Sequence, residues 1–294
     1  MIYVIVGPTG VGKTKLSIAL AKKLNAEIVN ADSMQVYKGL DIGTAKVKEE
    51  EKEDIPHHLF DIVDVDTLYT VYDYQKDARK KIEEITSRGK NVILVGGTGL
   101  YIRSCLYDYQ FQEEGKQETF DHLSNQELIE KILTYTDSIS VHPNNRKRLV
   151  RILNRLQNGE VNLNQKSKPI YDFYMIGLTT SRETLYEKIN ARVDLMVEEG
   201  LFQEVEELYR KNIHSKAIET GIGYKELYRY FQGELTKEEA IDEVKKNSRH
   251  YAKRQYTFFK HQFSVHWFET DYVNFENTID AVLEKLKKDR MQKK

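Results

Sequence analysis

Residues 7–14 read GPTGVGKT, and the short apolar run MIYVIV at residues 1–6 leads directly into them. The eight residues match the phosphate-binding pattern G-x-x-x-x-G-K-[ST] without a mismatch. In such loops the glycines let backbone N–H groups turn onto phosphate oxygens, and the N-terminus of the next helix adds its dipole. Leu16, Leu20 and Leu24 then follow at helical spacing. The start of the chain is therefore predicted to be a strand, a phosphate-binding loop and a helix.

Every residue of this loop is a candidate phosphate ligand through its backbone or its side chain. Lys13 brings a positive charge to the phosphates, and the Thr14 hydroxyl is suited to hold Mg²⁺. The loop does not identify the phosphate compound, because many unrelated proteins share the pattern. The predicted phosphate-binding set is Gly7, Pro8, Thr9, Gly10, Val11, Gly12, Lys13 and Thr14, with Thr14 as the metal ligand.

The composition is that of an ordinary globular protein without an overall preference for nucleic acid. Of the 294 residues, 31% are charged and 40% are apolar, and the net charge is -1 at pH 7. Any nucleic-acid-binding surface must therefore be local. The single cysteine, Cys105, excludes an intramolecular disulfide framework and favours a reducing cytoplasm. The apolar run at residues 1–6 is too short to span a bilayer, so we expect no membrane association.

Short apolar runs recur along the chain and alternate with helical patterns. They are mostly β-branched or aromatic and are bounded by glycine, polar or charged residues, as in buried strands of a parallel sheet. This alternation predicts an α/β fold, with a parallel sheet core like that of P-loop NTPases and helices on both faces. The predicted strands are residues 2–6, 28–30, 92–95 and 174–178, with a fifth at residues 265–268.

The alternation stops between about residues 110 and 168. Ser124 and Glu127 have the spacing of a capping box, and Asn145 precedes a second run of apolar residues at helical spacing. We therefore predict an all-helical insertion domain at residues 110–168. The catalytic core would then consist of residues 1–109 and 169–294.

Two polar residues follow predicted strands at the edge where ligands bind. Nucleotide hydrolases usually end a strand in an acidic metal ligand, but the strand at residues 92–95 ends in GGTG instead. The acidic residue at a strand end is Asp32, which follows the second strand. Because the carboxyl ends of parallel strands line one crevice, Asp32 and Thr98 are expected to face the same bound phosphates. Spacing alone allows Asp32 to be a Mg²⁺ ligand, a general base or a helix N-cap, and it allows Thr98 to be a helix cap.

Two basic segments are candidates for RNA contact. RKRLVRILNR at residues 146–155 contains five basic residues and no acid, with Lys147, Arg151 and Arg155 on one helical face. Residues 245–261 carry six Lys or Arg residues between aromatic ones. A solvated helix face explains the first pattern equally well, and core packing explains most aromatic residues of the second.

Three motifs carry a family resemblance: DSMQVY at residues 32–37, GGTGLY at 96–101 and YAKRQ at 251–255. With the phosphate-binding loop, they resemble the tRNA dimethylallyltransferases, also called tRNA isopentenyltransferases, over nearly the whole chain. The resemblance implies transfer of a dimethylallyl group from dimethylallyl diphosphate to N6 of the adenosine 3′-adjacent to the anticodon, with release of pyrophosphate. The chain has no zinc finger of the eukaryotic type, which favours a bacterial-type enzyme that acts in the cytoplasm; we expect a monomer.

The resemblance also implies roles for single residues. Asp32 matches the family's general base, which takes the proton of N6. Thr98 matches a threonine near the bridging oxygen of the prenyl donor, and Arg192 matches an arginine that reaches the diphosphate. An adenine presents N6 and N7 together, so Gln35 is a candidate for bidentate readout. The residues that the resemblance assigns to tRNA contact are Asp32, Ser33, Met34, Gln35, Thr98, Lys147, Arg148, Leu149, Val150 and Arg151.

Two other functions fit parts of the sequence. A P-loop small-molecule or nucleotide kinase would use the helical insertion as a lid with phosphate-clamping arginines. A non-catalytic RNA-binding module would retain the loop as a vestige. His57 and His58 are not expected to bind metal, because adjacent side chains of an extended segment point to opposite sides and no third ligand is evident. They are expected to shape the substrate pocket or a turn after Pro56.

Overall fold

The computed structural model describes residues 1–111, 118–139, 141–158 and 168–292. The chain divides into two compact units, of which the first comprises residues 1–107 and 169–294 and the second residues 108–168. We call them the sheet unit and the helical unit. Parts of the predicted insertion, residues 112–117, 140 and 159–167, lie outside the described residues.

The sheet unit contains a six-stranded sheet in the order β3-β2-β4-β1-β5-β6. All its strand pairs are parallel, and the β1–β4 register aligns Ile2 with Val92. The five predicted strands are present, and β3 is an addition that the sequence patterns missed because it is only two residues long. The strands are β1 Ile2–Val6, β2 Ala26–Asn30, β3 His57–His58, β4 Asn91–Val95, β5 Phe173–Thr179 and β6 His266–Glu269.

Helices connect the strands and follow them toward the C-terminus. The N-terminal helices are α1 Lys13–Leu24, α2 Val71–Ser87 and α3 Gly99–Leu106. The helical unit contains α4 Asn125–Leu133 and α5 Arg146–Gln157. The later helices are α6 Arg182–Glu198, α7 Leu201–Arg210, α8 Lys216–Thr220, α9 Tyr224–Phe231, α10 Lys237–Gln262 and α11 Phe275–Gln292.

The sheet separates two apolar cores, because successive side chains of each strand point to opposite faces. On β1, Tyr3 and Ile5 face a core that includes α1 and α11, whereas Val4 and Val6 face a core that includes α2 and α3. This confirms the predicted parallel α/β core with helices on both faces. Because β2, β4 and β1 are adjacent in the sheet, the loops that follow them meet at one edge.

A third apolar core lies away from the sheet and fixes the segment after β2. Val36 and Leu40 of this segment are fully buried against residues of α7, α9 and α10. The DSMQVY motif is therefore held between the sheet and the C-terminal helices. In the part of the chain that the structure describes, no helix has both the length and the apolar character needed to cross a membrane.

The helical unit packs α4 against α5 around a small apolar core. Ser124 caps α4 in a capping box with Glu127, as the sequence pattern predicts. Leu128 and Ile132 of α4 pack in the same cluster as Leu149 of α5. The described part of this unit therefore has its own core.

Candidate active site

The loop after β1 folds as the phosphate-binding pattern requires. Gly7, Gly10 and Gly12 have φ angles of 144°, 86° and 88°, a region that side chains with a Cβ disfavour. A Cβ on Gly7 would lie 2.5 Å from the Leu178 carbonyl oxygen, and one on Gly12 would lie 2.6 Å from the Phe275 ring. All three glycines are therefore required by the backbone itself.

Contacts from the segment after β6 orient the loop. The Thr270 hydroxyl donates a hydrogen bond to the Val11 carbonyl at 3.0 Å, and the Tyr272 hydroxyl donates one to the Gly10 carbonyl at 3.2 Å. The carbonyl oxygens of Gly10 and Val11 thus face the protein, whereas their N–H groups find no acceptor among the described residues. Such unpaired N–H groups at a helix N-terminus form a cradle for an anion.

Two cations and one carboxylate surround this cradle. The Lys13 ammonium donates a hydrogen bond to the Pro8 carbonyl at 2.8 Å. Burial and then the nearby Arg192 charge lower the pKa of Lys13 to about 7, although Asp32 acts in the opposite direction. Burial also lowers the pKa of Arg192, and Asp32 again opposes it. Arg192 forms no ion pair with any described residue, so its charge remains available to an anionic ligand.

Asp32 has one carboxylate oxygen committed to its own backbone turn. Its Oδ1 accepts a hydrogen bond from the Met34 N–H at 2.9 Å, whereas Oδ2 accepts none from the described residues. The buried Asn30 fixes the backbone, since its Oδ1 accepts the Asp32 N–H at 2.8 Å and its Nδ2 donates to the Asp32 carbonyl at 3.1 Å. No helix begins at Asp32, so the N-cap interpretation is wrong. Oδ2 is positioned to accept a proton or a cation.

Thr98 does not cap the helix that follows it. It is the N-cap residue of α3, but its hydroxyl makes no capping bond. Instead, Oγ1 accepts a hydrogen bond from the Ser33 N–H at 3.0 Å and donates one to Ser33 Oγ at 3.2 Å. The structure therefore joins the GGTGLY motif to the DSMQVY motif through Thr98 and Ser33.

The amide of Gln255 connects two of these loops, and sequence reasoning missed its role. Gln255 lies on α10 and is 4% exposed. Its Oε1 accepts the Thr9 N–H at 3.0 Å, and its Nε2 donates to the Gly97 carbonyl at 3.1 Å. The only sequence signal for this residue was its place in the YAKRQ motif.

Gln35 is not free for the bidentate adenine contact that its sequence position predicts. Its Nε2 donates to the Thr44 carbonyl at 3.0 Å and to the Ala45 carbonyl at 3.4 Å. This leaves the Oε1 oxygen as the amide atom for a base. The adjacent Met34 is partly buried and packs toward Gly221. Both side chains therefore also hold the segment after β2 in place.

Glu204 of α7 anchors the same segment and was not predicted from the sequence. Its Oε2 accepts the N–H groups of Asp41 and Ile42 at 3.0 and 2.7 Å, and its Oε1 accepts the Gly43 N–H at 3.0 Å. The Tyr224 hydroxyl also donates to Oε1, at 2.7 Å. A carboxylate that accepts this many hydrogen bonds fixes the loop.

In the helical unit, α5 presents part of the predicted RNA-binding segment to solvent. Lys147, Arg148 and Arg151 are exposed, whereas Leu149 has no exposed area and packs in the core of this unit. Any contact of Leu149 with tRNA would therefore involve its backbone and not its side chain. Arg146 is also structural, because its guanidinium donates to the carbonyls of Phe120 and Leu123, each at 2.7 Å. Val150 is half-buried.

In the second basic segment, on α10, some side chains pack inside the protein and others are exposed to solvent. Phe259 is fully buried, and Tyr256 packs against Trp267, so these aromatic side chains belong to the core. Lys245 pairs with Asp194 at 2.6 Å. The surface side of this segment includes the exposed Lys253, Arg254 and Lys260.

The two histidines lie in β3 and not in the cradle. His58 Nε2 is 2.7 Å from an oxygen of the buried Glu27, which Arg88 and Lys90 also contact at 2.8 and 3.0 Å. Burial opposes ionisation of Glu27, but hydrogen bonds from Lys90, His58 and Arg88 lower its pKa to about 2. His58 therefore belongs to this charge network at the start of β2, and its expected role in the substrate pocket or in a turn after Pro56 stays a prediction.

Thr14 is the predicted protein ligand for a cation at the cradle. Thr14 lies exposed on the first turn of α1, and its hydroxyl has no partner among the residues that the structure describes. No group of three or more His, Cys, Asp or Glu side chains gathers within the described ranges. This donor set fits Mg²⁺, which takes few protein ligands when phosphates and water complete its shell.

Known proteins share this sequence and this fold. The model of the IPP transferase family matches residues 35–262. The tRNA dimethylallyltransferase of Anoxybacillus flavithermus is 48% identical over 295 residues, covering 96% of this chain and 94% of that protein. The crystal structure of a tRNA delta(2)-isopentenylpyrophosphate transferase from Staphylococcus epidermidis is 42% identical, with a TM-score of 0.75 and 98% of each chain covered. A eukaryotic dimethylallyltransferase, captured in crystals acting on tRNA, is 29% identical with a TM-score of 0.83, covering 100% of this chain and 80% of that one.

Proposed function

This chain belongs to the IPP transferase family, and we infer from its active site that it is a tRNA dimethylallyltransferase. It transfers a dimethylallyl group from dimethylallyl diphosphate to N6 of the adenosine 3′-adjacent to the anticodon, and pyrophosphate leaves. The observation that carries this proposal is the meeting of three loops after adjacent strands. They bring an anion cradle together with the Asp32 carboxylate and the Thr98 hydroxyl.

In the proposed reaction, the phosphate-binding loop holds the diphosphate of the donor. The allylic carbon–oxygen bond breaks, and its electron pair goes to the bridging oxygen of the leaving pyrophosphate. The N–H groups of Gly10 and Val11, with the charges of Lys13 and Arg192, stabilise the negative charge that develops there. The loop serves the leaving group and not a phosphoryl transfer.

Asp32 is proposed to act on the adenine. The N6 amine is a weak nucleophile because its lone pair is delocalised into the ring, so removal of its proton assists the attack. N6 forms the new carbon–nitrogen bond, and its proton passes to Asp32 Oδ2, the oxygen without a partner among the described residues. Thr98 is proposed to contact the bridging oxygen and the target nucleotide.

The proposed cofactor is Mg²⁺. Thr14 would hold it from the first turn of α1, and diphosphate oxygens with water would complete its ligands. Bound there, the ion would neutralise charge on the leaving pyrophosphate. Loss of turnover on removal of Mg²⁺, with recovery on its return, tests this assignment.

Substrate tRNA is proposed to contact both units of the chain. In the sheet unit, the residues 32–35 would contact the target base, with Gln35 acting through Oε1 alone. In the helical unit, the exposed Lys147, Arg148 and Arg151 would contact phosphates. We further propose that the protein acts as a monomer in the cytoplasm, where its tRNA substrate resides.

A P-loop kinase is the competing function, and one assay separates the two. Gly96 and Gly97 follow the β4 strand at the place where a hydrolase or kinase commonly has an acidic metal ligand. We expect pyrophosphate release only when dimethylallyl diphosphate and an unmodified anticodon stem-loop are both present with Mg²⁺. Transfer of phosphate from ATP to a small acceptor, without any need for RNA, would establish the kinase instead.

A further inference from the structure

Gln255 stands apart from the groups that contact substrate, yet it touches two of the loops that hold them. Its side chain reaches from α10 to Thr9 in the phosphate-binding loop and to Gly97 in the loop that carries Thr98. These partners lie 246 and 158 residues away in the sequence. Both hydrogen bonds are made by the same side-chain amide, and Gln255 is 4% exposed.

A neutral amide matches both polar groups at this position. The Thr9 N–H needs an acceptor and the Gly97 carbonyl needs a donor, and a glutamine side chain offers both from one rigid group. An aliphatic residue would leave two buried polar groups without partners, which proteins avoid. A carboxylate would satisfy Thr9 but would place a second acceptor against the Gly97 carbonyl.

Gly97 is shaped to receive this amide. A Cβ at position 97 would lie far inside van der Waals contact of Gln255 Nε2. The φ angle of Gly97 is not positive, so an alanine backbone is otherwise acceptable there. Glycine is therefore required at this position by the Gln255 side chain and not by the turn.

The link continues from Gln255 to Thr98. Gly97 is followed directly by Thr98, which holds Ser33 beside Asp32. Tyr251 lies one helical turn earlier on α10, near the Thr98 and Gln255 side chains. The contacts thus run from the phosphate-binding loop through Gln255 to Gly97 and, from the adjacent Thr98, to the segment that carries the general base.

We propose that Gln255 is a positioning residue, which sets the distance between the loop holding the leaving diphosphate and the loop carrying Thr98. This role rests on the proposed function. Each loop is formed by its own strand and can bind its own substrate, but the reaction requires the allylic carbon and N6 to be aligned within a fraction of an ångström. Gln255 supplies that alignment without contacting either substrate.

Such a role predicts a separation between turnover and binding. In Gln255→Leu, we expect kcat to fall by about 10²-fold, the loss that a displacement of about 1 Å produces. We expect the dissociation constants of pyrophosphate and of the anticodon stem-loop, each measured alone, to change by less than about threefold. The matched control is Gln75→Leu, which removes a buried amide of α2 that bonds the Ser104 carbonyl of α3. It should lower the melting temperature to a similar degree while kcat stays close to that of the wild type.

Two further variants test the proposed geometry. Glutamate at 255 keeps the acceptor for Thr9, and when protonated it also regains the donor for Gly97; burial raises its pKa. The activity of Gln255→Glu relative to wild type should therefore rise as pH falls from about 8 to about 6. Gly97→Ala should reproduce the Gln255→Leu defect, and combining Gly97→Ala with Gln255→Ala should cost less than the sum of the two.

An exchange measurement separates failure of this proposal from failure of the proposed function. Backbone hydrogen exchange of a peptide covering residues 7–12 should accelerate in Gln255→Leu and not in Gln75→Leu, whether or not the wild type shows prenyl transfer. Unchanged exchange would overturn the link itself. Where the wild type is active, equal kcat values for Gln255→Leu and Gln75→Leu would overturn the positioning role. So would a loss in the double variant Gly97→Ala with Gln255→Ala that equals the sum of the two single losses.

Discussion

The ionisation of Lys13 gives a prediction whose size follows from the structure. Burial and the Arg192 charge lower its pKa to about 7 in the ligand-free protein. A bound diphosphate restores the charged form, so anion binding is coupled to uptake of one proton. The charged fraction of Lys13 is about one half at pH 7 and about one hundredth at pH 9, which predicts a roughly 50-fold weaker affinity at pH 9.

The assay is isothermal titration of pyrophosphate into the protein between pH 6 and pH 9. Pyrophosphate itself gains negative charge over this range, which would strengthen binding and mask part of the effect. Lys13→Arg is the control, because an arginine stays charged throughout and meets the same ligand. The ratio of wild-type to variant affinity should fall as pH rises through about 7. A ratio that stays constant would refute a depressed pKa at Lys13.

Stability should follow the same ionisation with the opposite trend. Because the folded-state pKa of Lys13 lies below its unfolded value of 10.5, the unfolded chain binds more protons between about pH 7 and pH 10. The contribution of Lys13 to the free energy of unfolding therefore rises with pH across this window. The difference in melting temperature between the ligand-free wild type and Lys13→Met should therefore become smaller as the pH rises.

Three other substitutions test the remaining parts of the account. Asp32→Asn should lower kcat by roughly 10²-fold or more while stem-loop affinity stays nearly unchanged; a collapse of affinity in a binding titration would make Asp32 a binding residue instead. Arg151→Ala should weaken tRNA binding and reduce the slope of log affinity against log salt by about one, and an unchanged slope would remove α5 from the RNA contact. Leu149→Ala should instead cost about 2–5 kcal/mol of stability in the helical unit, measured by denaturation; an unaltered unfolding curve would contradict its core position.

Much of the fold followed from local patterns. The phosphate-binding loop fixed β1 and α1, and alternation of apolar runs with helical patterns indicated the parallel sheet. The strand β3 escaped because its two residues, His57 and His58, are too few to show a period. Its place in the sheet depends instead on pairing with β2, at Ile28 and Val29, which no local pattern encodes.

The active site was less visible in the sequence. The roles proposed for Asp32, Thr98 and Arg192 come from family resemblance, while spacing alone left each open to a structural role. The contacts of Gln255 and Glu204 were missed because their partners lie more than 150 residues away in sequence. Contacts of that kind depend on tertiary structure and leave no periodicity to detect.

Leu149 shows what the two kinds of pattern can tell apart. The family motif includes it in the proposed tRNA contact with its neighbours, whereas its place in the apolar stripe of α5 predicts burial of its side chain. The structure packs that side chain in the core of the helical unit. Lys147 and Arg151 of the same helix face solvent.

The proposed reaction joins a prenyl group to an adenine of tRNA. Its most direct test is mass spectrometry of an unmodified anticodon stem-loop after incubation with the protein, dimethylallyl diphosphate and Mg²⁺. One dimethylallyl group should replace one hydrogen on the adenosine 3′ of the anticodon, and Asp32→Asn should abolish most of this product. An unmodified stem-loop in the presence of folded wild-type protein and both substrates would contradict it.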